Sequence, residues 1–256
     1  MHEVAFDETG NTGAALLSLD QPVFALASIS LSRSEADEIL ASIRTAQTGE
    51  IKFKHLRRKA SGQRRILKLI SSPELTSGNV IATLVHKRFM VVSKVVDLLV
   101  ESFAHANGVD LYKGDATIAI SNLHFYSMTN FCGEDWPETF LHRFVDMLRE
   151  RTYKNVRRFY DAARVLCEIS NDKDYAKLLI PILASEQIIG HILANSNRNS
   201  LDPAIPAFVQ HCTLWGERFG EDFEIVHDSS KPIFEEKTML ENLMGRGEEE
   251  HLIGCP

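Results

Sequence analysis

Hydrophobic and polar residues follow one pattern in the first third of the chain and another pattern after it. The runs "VAFD", "PVFALASISL" and "NVIATLVHKRF" are rich in β-branched and aromatic residues, which predicts strands. Between these runs, "SEADEILASI" and "SGQRRILKLISS" carry apolar residues at helical spacing, and Ser34 is the expected N-cap of the first helix. The first third therefore predicts an α/β arrangement.

From about Val91 the apolar residues repeat every three or four positions, which predicts a mainly helical section. The same spacing continues through "YAKLLIPILASEQIIGHILA", where Pro181 predicts a kink. A strand returns only in "DFEIVHD". We interpret these patterns as an α/β core interrupted by a helical insertion.

The expected boundaries divide the chain into three parts. The core covers residues 1–90 and 204–240, the helical insertion covers 91–203, and 241–256 is a flexible or truncated C-terminal segment. With 256 residues, of which 44% are hydrophobic and 25% charged, the chain has an ordinary soluble composition and can bury a sizeable core.

Charge and cysteine content exclude several classes of protein. The net charge of -7 argues against a protein that coats nucleic acid over its whole surface, although a local basic patch stays possible. Charged residues interrupt the longest apolar stretch, "VIATLVHKRFMVVSKVVDLLV", so we expect no membrane span and a cytoplasmic location. The four cysteines lack the close pairing of a zinc site and predict reduced thiols.

Three acidic residues lie where strands and helices meet. Asp7 is expected to end the first strand, Glu50 begins "EIKFKHL", and Asp228 is expected to end the last strand. Carboxylates that converge at a sheet edge need a neutralising cation, and oxygen ligands favour Mg²⁺ or Mn²⁺. Two such ions about 3.5–4 Å apart support phosphodiester hydrolysis. The alternative is that each acid caps a turn or lies on the surface.

A basic stretch follows Glu50 and continues without an acid until Glu74. This concentration of cations predicts contact with a nucleic-acid backbone, whereas the alternative is a solvated helix face. The expected nucleic-acid-binding residues are Lys52, Lys54, Arg57, Arg58, Lys59, Arg64, Arg65 and Lys68. A second and weaker patch, in which aromatic residues could stack on bases, has the cations Arg149, Arg151, Lys154, Arg157, Arg158 and Arg164 and the aromatics Tyr153, Phe159 and Tyr160.

Further candidates lie near the expected strand ends. A histidine or lysine there could orient water or bind phosphate, although a lone histidine is more often structural. These second-rank residues are His86, Lys87, His227 and Lys231. Gly10 is expected to provide the sharp turn that leaves Asp7 exposed.

Motifs of other enzyme classes are absent from the sequence. It has no phosphate-binding Walker loop, no dinucleotide-binding glycine motif, no nucleophile elbow and no H-E-x-x-H. Two alternatives stay open: an actin-like nucleotide-binding protein, in which Gly10 to Gly13 would cradle phosphate, and a non-catalytic interaction protein on the same fold.

Three motifs together, "AFDETGNTG", "EIKFKHL" and "IVHDSSKP", resemble the family called domain of unknown function 3800. The resemblance implies a ribonuclease-H-like mixed sheet with a helical insertion, and a metal-dependent nuclease or related phosphodiester chemistry. It implies that Asp7, Glu50 and Asp228 bind Mg²⁺ or Mn²⁺ and that Glu8 supports them or positions water. Thr9 replaces the usual serine, while Gly10 and Lys52 match the family's motifs.

One departure from this family concerns the end of the chain. Similar proteins continue into a strand and a helix whose Gln-Leu-Ala-Asp type motif supplies a further metal ligand. Nothing before "EEEHLIGCP" matches that motif, so we expect either that the sequence is truncated or that Glu235 or Glu236 replaces the ligand. Loss of one carboxylate would weaken the second metal position and leave the chain inactive. The choice between RNA and DNA and the oligomeric state stay open.

Overall fold

The structure is a computed structural model, and it describes residues 1–10, 13, 16–41, 43, 53–197 and 199–227. Four strands form its sheet: β1 (His2–Thr9), β2 (Val23–Ile29), β3 (Val80–His86) and β4 (Phe223–His227). The expected segment 241–256 lies outside the described residues.

Helices make up most of the rest of the described chain. A π-helical turn, Val96–Glu101, joins α4 to α5, and two short 3₁₀ helices span Lys113–Asp115 and Ser185–Ile188. The α-helices are α1 (Arg33–Ala41), α2 (Phe53–Leu56), α3 (Ala60–Ile70), α4 (Lys87–Val95), α5 (Ser102–Ala106), α6 (Ala116–Cys132), α7 (Asp135–Glu150), α8 (Tyr153–Ile169), α9 (Lys173–Leu178), α10 (Ile180–Ala184), α11 (Ile189–Asn195) and α12 (Ala204–Phe219).

The sheet is mixed, with the strand order β3-β2-β1-β4. Strand β1 runs antiparallel to β2, with Asp7 opposite Ala27, and parallel to β4, with Phe6 opposite His227. Since parallel strands need a long crossover connection, the helical section between β3 and β4 is consistent with this pairing. The expected α/β class is therefore confirmed.

The chain divides into two compact units. One unit, which we call the sheet unit, covers 1–9, 25–83 and 204–256, and the other, the helical unit, covers 10–24 and 84–203.

In the sheet unit, α12 covers one face of β1. Side chains on a strand alternate between faces, and Val4 and Phe6 are buried on the same face. The Phe6 ring lies 4.9 Å from the Phe208 ring of α12, centroid to centroid. We call the face of β1 with Val4, Phe6 and Glu8 the covered face, and the face with Glu3, Ala5, Asp7 and Thr9 the open face.

A buried polar network fixes α12 against β2 and β3. The indole nitrogen of Trp215 donates to Ser28 Oγ over 2.7 Å, and Ser28 Oγ lies 2.8 Å from His211 Nδ1. Because the Thr83 hydroxyl donates to Gln210 Oε1 over 3.3 Å and so accepts from His211 Nε2, we assign the Ser28 hydroxyl as donor to Nδ1. The proton of His211 then lies on Nε2, which donates to Thr83 Oγ1 over 2.9 Å. Burial lowers the pKa of His211, consistent with a neutral ring.

The helical unit has its own hydrophobic core, in which α7 and α8 pack closely. The Phe159 ring lies 5.1 Å from Phe140 and 5.6 Å from Phe144. The connection between these helices is short, and Thr152 caps α8 by accepting from Asn155 N–H over 3.2 Å.

One apolar stretch of the helical unit, Lys173–Asn195, is long and apolar enough to cross a membrane by length and composition. Tyr175, Leu179 and Ile182 of this stretch are buried in the core of the unit at helical spacing. Pro181 lies in the first turn of α10, and the helix is interrupted just before it at Leu179, consistent with the expected kink. The burial pattern is typical of a helix that packs one face on a protein core.

The N-terminus of α1 differs from the expectation. Ser32, and not Ser34, caps the helix: its Oγ accepts from Glu35 N–H over 3.3 Å, while Glu35 Oε2 accepts from Ser32 N–H over 2.8 Å. This reciprocal pair is a capping box, and it satisfies two amides where Ser34 would satisfy one. The hydrogen bond from the Ser32 hydroxyl is the main cause that lowers the pKa of Glu35.

Gly10 is predicted to tolerate no side chain. Its φ of +113° is unfavourable for other residues, and an added Cβ would lie 2.8 Å from both Phe24 Cα and Val23 O. Gly10→Ala is therefore expected to lower the free energy of unfolding by about 2 kcal/mol in urea titrations. Gly190→Ala, in helix α11 where a Cβ meets nothing within 4 Å, is the control and should be neutral or stabilising. Equal stability of Gly10→Ala and the unmodified protein would contradict this prediction.

Candidate metal and nucleic-acid site

Asp7 lies on the open face of the central strand β1 and is exposed. The expectation that Asp7 ends this strand is wrong by two residues, since Glu8 and Thr9 still pair with Leu26 and Ala25 of β2. The strand continues because its ladder is formed by backbone groups, whichever side chains project from it. The Asp7 carboxylate therefore projects from a rigid strand and not from the following turn.

The described neighbours of Asp7 on the open face are small. Its strand partner Ala27 is exposed, and Ala5 precedes it on the open face. Asp7 Oδ1 accepts a hydrogen bond from Glu8 N–H over 2.9 Å. A carboxylate that is exposed, held by one backbone amide and flanked by alanines has room for a hydrated cation.

Glu8 lies on the covered face, together with Val4 and Phe6, and is half-buried. Neighbouring residues of a strand project to opposite sides of the sheet. Although Asp7 and Glu8 are adjacent in the sequence, their side chains therefore do not project to one side as a ligand pair. Any support that Glu8 gives to Asp7 acts through the strand backbone.

The other expected ligands lie outside the described residues. These are Glu50 and Asp228, together with the expected phosphate-binding residues Lys52 and Lys231. Among the residues that the structure describes, no group of three or more histidine, cysteine, aspartate or glutamate side chains could hold a metal ion. A metal centre at Asp7 therefore needs ligands from outside the described residues, which is where Glu50 and Asp228 lie.

His227, a second-rank candidate, is the strand partner of Phe6 and projects to the covered face. Its ring lies 6.1 Å from the Phe6 ring and 6.0 Å from the Phe208 ring, centroid to centroid. These contacts place the imidazole against α12 and on the opposite side of the sheet from the Asp7 carboxylate.

His86, Lys87 and Gly10 have structural contacts within the helical unit. His86 caps α4, since its Nδ1 accepts from Phe89 N–H over 3.2 Å. The Lys87 side chain is 1% exposed, its backbone N–H donates to Pro22 O over 2.9 Å, and burial lowers the pKa of its ammonium group. These contacts give His86 and Lys87 structural roles, as the close approach of Phe24 gives one to Gly10, and a further role at the site stays a prediction.

Helices α2 and α3 form a tight pair, which we call the α2–α3 hairpin (residues 53–70). A Cβ on Gly62 would lie 2.1 Å from Leu56 O, so only glycine permits the observed approach. Lys59 N–H donates to Leu56 O over 3.4 Å, and Gln63 Nε2 donates to Arg57 O over 3.0 Å. The hairpin therefore holds the cations of both helices in one local structure.

The cations of the α2–α3 hairpin have no acidic partner in the described part of the chain. Six are exposed and Arg65 is half-buried, and none of the ion pairs in residues 1–10, 16–41, 53–197 and 199–227 includes them. The sequence explains this, because no acid occurs between Glu50 and Glu74. Uncompensated cations of this kind attract phosphate. The set comprises Lys54, Arg57, Arg58, Lys59, Arg64, Arg65 and Lys68.

The second basic patch, on α8, is different. Arg157 and Arg164 both pair with Asp161, and the Arg151 guanidinium donates to the carbonyls of Leu193 and Ser196. The aromatic residues Phe159 and Tyr160 are fully buried in the core, which is the more frequent position of such aromatics and the alternative to stacking on bases. Only Tyr153, of the three aromatics, is exposed. The ion pairs of Arg157 and Arg164 and the burial of two of the three aromatics make this patch less suited to nucleic acid than the α2–α3 hairpin.

Comparisons with known proteins add no relative. No family model, no curated protein and no solved structure matches the chain. The resemblance to the family called domain of unknown function 3800 therefore rests on the three sequence motifs alone.

Proposed function

We propose that this protein is a metal-dependent nuclease that hydrolyses phosphodiester bonds of RNA or DNA. The observation that carries the proposal is the exposed Asp7 carboxylate on the open face of the central strand. The cations of the α2–α3 hairpin, which have no acidic partner among the described residues, belong to the same compact unit. A carboxylate for the metal and cations for the phosphate backbone are the two parts that such an enzyme needs.

The strand pairing supports a place for a second carboxylate. Strand β4 runs parallel to β1, so both strands end at the same edge of the sheet. Asp228 follows His227 directly in the sequence, and His227 is the partner of Phe6, the residue before Asp7. Strand side chains alternate, and His227 projects to the covered face, so the proposal requires Asp228 on the open face beside Asp7.

The proposed core is ribonuclease-H-like, and its metal ligands are Asp7, Glu50 and Asp228. Three findings support this fold: a mixed sheet, a central first strand, and a parallel neighbour reached through a helical section. Glu50 lies three residues before α2 in the sequence, so the proposal connects the metal site directly to the α2–α3 hairpin.

Each residue of the proposed site has a separate task. Mg²⁺ or Mn²⁺, when bound, activates water and stabilises the leaving oxygen. Asp7, Glu50 and Asp228 supply the negative charge and the hard oxygen ligands that such ions prefer. The hairpin cations hold the phosphate backbone, so that the scissile phosphate stays near the carboxylates.

The proposal is tested by cleavage of labelled nucleic acid. Purified protein is incubated with single- and double-stranded RNA and DNA in Mg²⁺, in Mn²⁺ and in EDTA. We expect cleavage of at least one substrate with either metal and none with EDTA. Cleavage that persists in EDTA, or no cleavage of any of the four substrates, would contradict the proposed function.

A further inference from the structure

An aromatic ring lies exposed at the start of the α2–α3 hairpin. Phe53 is 63% exposed, although a phenylalanine side chain is usually buried. The next residue is Lys54, and Arg57 lies one helical turn along, since its N–H donates to Phe53 O over 2.9 Å. The ring and the Arg57 guanidinium are therefore neighbours on the surface of α2.

We infer that the α2–α3 hairpin binds single-stranded nucleic acid, with a base stacked on Phe53 and its flanking phosphates on the hairpin cations. This inference rests on the proposed function and names its substrate class. Proteins that bind single strands combine a cationic surface with aromatic rings on which bases stack. The hairpin has both parts within one small structure.

The exposed ring is the feature that separates single strands from duplexes. In a duplex both faces of each base are covered by its stacked neighbours, and only base edges are accessible in the grooves. Cations alone bind either form through its phosphates. A ring with its face in solvent gains contact only with a base that is unstacked, so Phe53 favours the single strand.

The apolar side of α3 allows one rival partner. Leu67 and Ile70 are 58% and 63% exposed, and the cations Arg64 and Lys68 lie on another side of the same helix. Amphipathic basic helices can lie on anionic membranes. Charge complementarity alone fits both partners, but the Phe53 ring lies beside the cations Lys54 and Arg57 of the hairpin, as an aromatic that stacks on a base between phosphate contacts does, which is why we assign the nucleic acid.

The test measures binding in EDTA, so that it does not depend on metal or on cleavage. Fluorescence anisotropy gives the Kd for a labelled single-stranded oligonucleotide, for the matching duplex and for vesicles that contain phosphatidylserine. The variants are Phe53→Ala, Phe53→Leu and Phe53→Trp. Leu67→Ala is the matched control, because it truncates an equally exposed apolar side chain on the neighbouring helix.

We expect Phe53→Ala and Phe53→Leu to weaken single-strand binding by about 5- to 100-fold, the range that corresponds to one lost base stack. Phe53→Trp should restore binding, and Leu67→Ala should leave it within twofold. Duplex binding should be weaker than single-strand binding and unaffected by any of these changes. Circular dichroism confirms that each variant is folded.

Three outcomes would overturn the inference. Equal binding of single strand and duplex, with no effect of Phe53→Ala, contradicts stacking but leaves the proposed nuclease intact. Binding of vesicles that depends on Leu67, without binding of nucleic acid, assigns the hairpin to a membrane surface. Metal-dependent cleavage by a protein whose single-strand binding does not depend on Phe53 places the substrate contact elsewhere. Single-strand binding that depends on Phe53, without cleavage, supports the inference and contradicts only the proposed function.

Discussion

Asp7→Asn is expected to lower the rate of metal-dependent cleavage by about 100-fold or more, with little change in stability. The substitution keeps the shape of the side chain but removes the charge that holds a divalent cation. Changes to residues that merely support a metal ligand already cost about 10- to 100-fold, so loss of a direct ligand should cost at least as much. Initial rates at saturating Mg²⁺ and at saturating Mn²⁺ measure the effect.

Glu3→Gln is the control for this substitution. Glu3 lies on the same open face of the same strand, four residues before Asp7, and is also exposed. The Glu3→Gln protein should keep its cleavage rate within about twofold, if the loss in Asp7→Asn comes from the position of the carboxylate and not from general surface charge. An active Asp7→Asn protein, or equal losses in both variants, would exclude Asp7 as a metal ligand.

Acid is expected to destabilise the protein through His124, which lies in α6 with 1% of its surface exposed. Its Nδ1 lies 3.1 Å from the Tyr175 hydroxyl, and its Nε2 has no hydrogen-bond partner in the described part of the chain. Burial lowers the pKa of His124 from 6.5 to about 4. The folded protein therefore keeps the ring neutral at a pH where the unfolded chain protonates it.

Because the pKa of His124 is lower in the folded protein, the free energy of unfolding falls as the pH falls below 6.5. Above pH 6.5 the ring is neutral in both states, and between pH 6.5 and about 4 only the unfolded chain takes up the proton. We expect the free energy of unfolding to fall by about 2 kcal/mol between pH 7 and pH 5 from this residue. His211, whose pKa is also lowered by burial, adds to the loss in the same direction.

Urea titrations at pH 7, 6 and 5 test this prediction. His124→Gln, whose amide can still bond the Tyr175 hydroxyl, should lose most of the acid sensitivity. His142→Gln is the control, because His142 is exposed on α7, and it should keep the sensitivity of the unmodified protein. The same decrease from pH 7 to pH 5 in His124→Gln would contradict the role of His124.

Local sequence patterns account for much of the fold. The β-branched and aromatic residues of "VAFD" and the period of three to four after Val91 correspond to β1 and to the helical section that begins in α4. The Ser32 to Glu35 capping box was visible as S-x-x-E, but Ser34 obscured it because both serines precede the same helix. Such a choice between neighbouring caps is decided by backbone geometry.

Tertiary contacts explain what could not be predicted. Nothing near Ser28 in the sequence indicates that its hydroxyl connects Trp215 to His211, since these residues lie more than 180 positions away. The buried Phe159 and Tyr160 gave the same pattern as stacking aromatics, and only the packing of α7 on α8 separates the two.

Part of the candidate site could also be predicted from the sequence, and part of it could not. Strand alternation predicts that Asp7 and Glu8 project to opposite faces, and this was accessible from the sequence. The sequence also predicts that the seven hairpin cations have no acidic neighbour along the chain, because no aspartate or glutamate occurs between Glu50 and Glu74. Convergence of Asp7 with Glu50 and Asp228 depends on long-range placement, so it stays a prediction of the proposed function.

The most direct test of a metal centre at Asp7 is a crystal structure of the protein soaked in Mn²⁺, with anomalous diffraction to locate the ion. We predict a peak about 2.1 Å from an Asp7 carboxylate oxygen, with Glu50 and Asp228 carboxylates as further ligands. No peak at Asp7 at saturating Mn²⁺, or three carboxylates more than about 10 Å apart, would contradict the account.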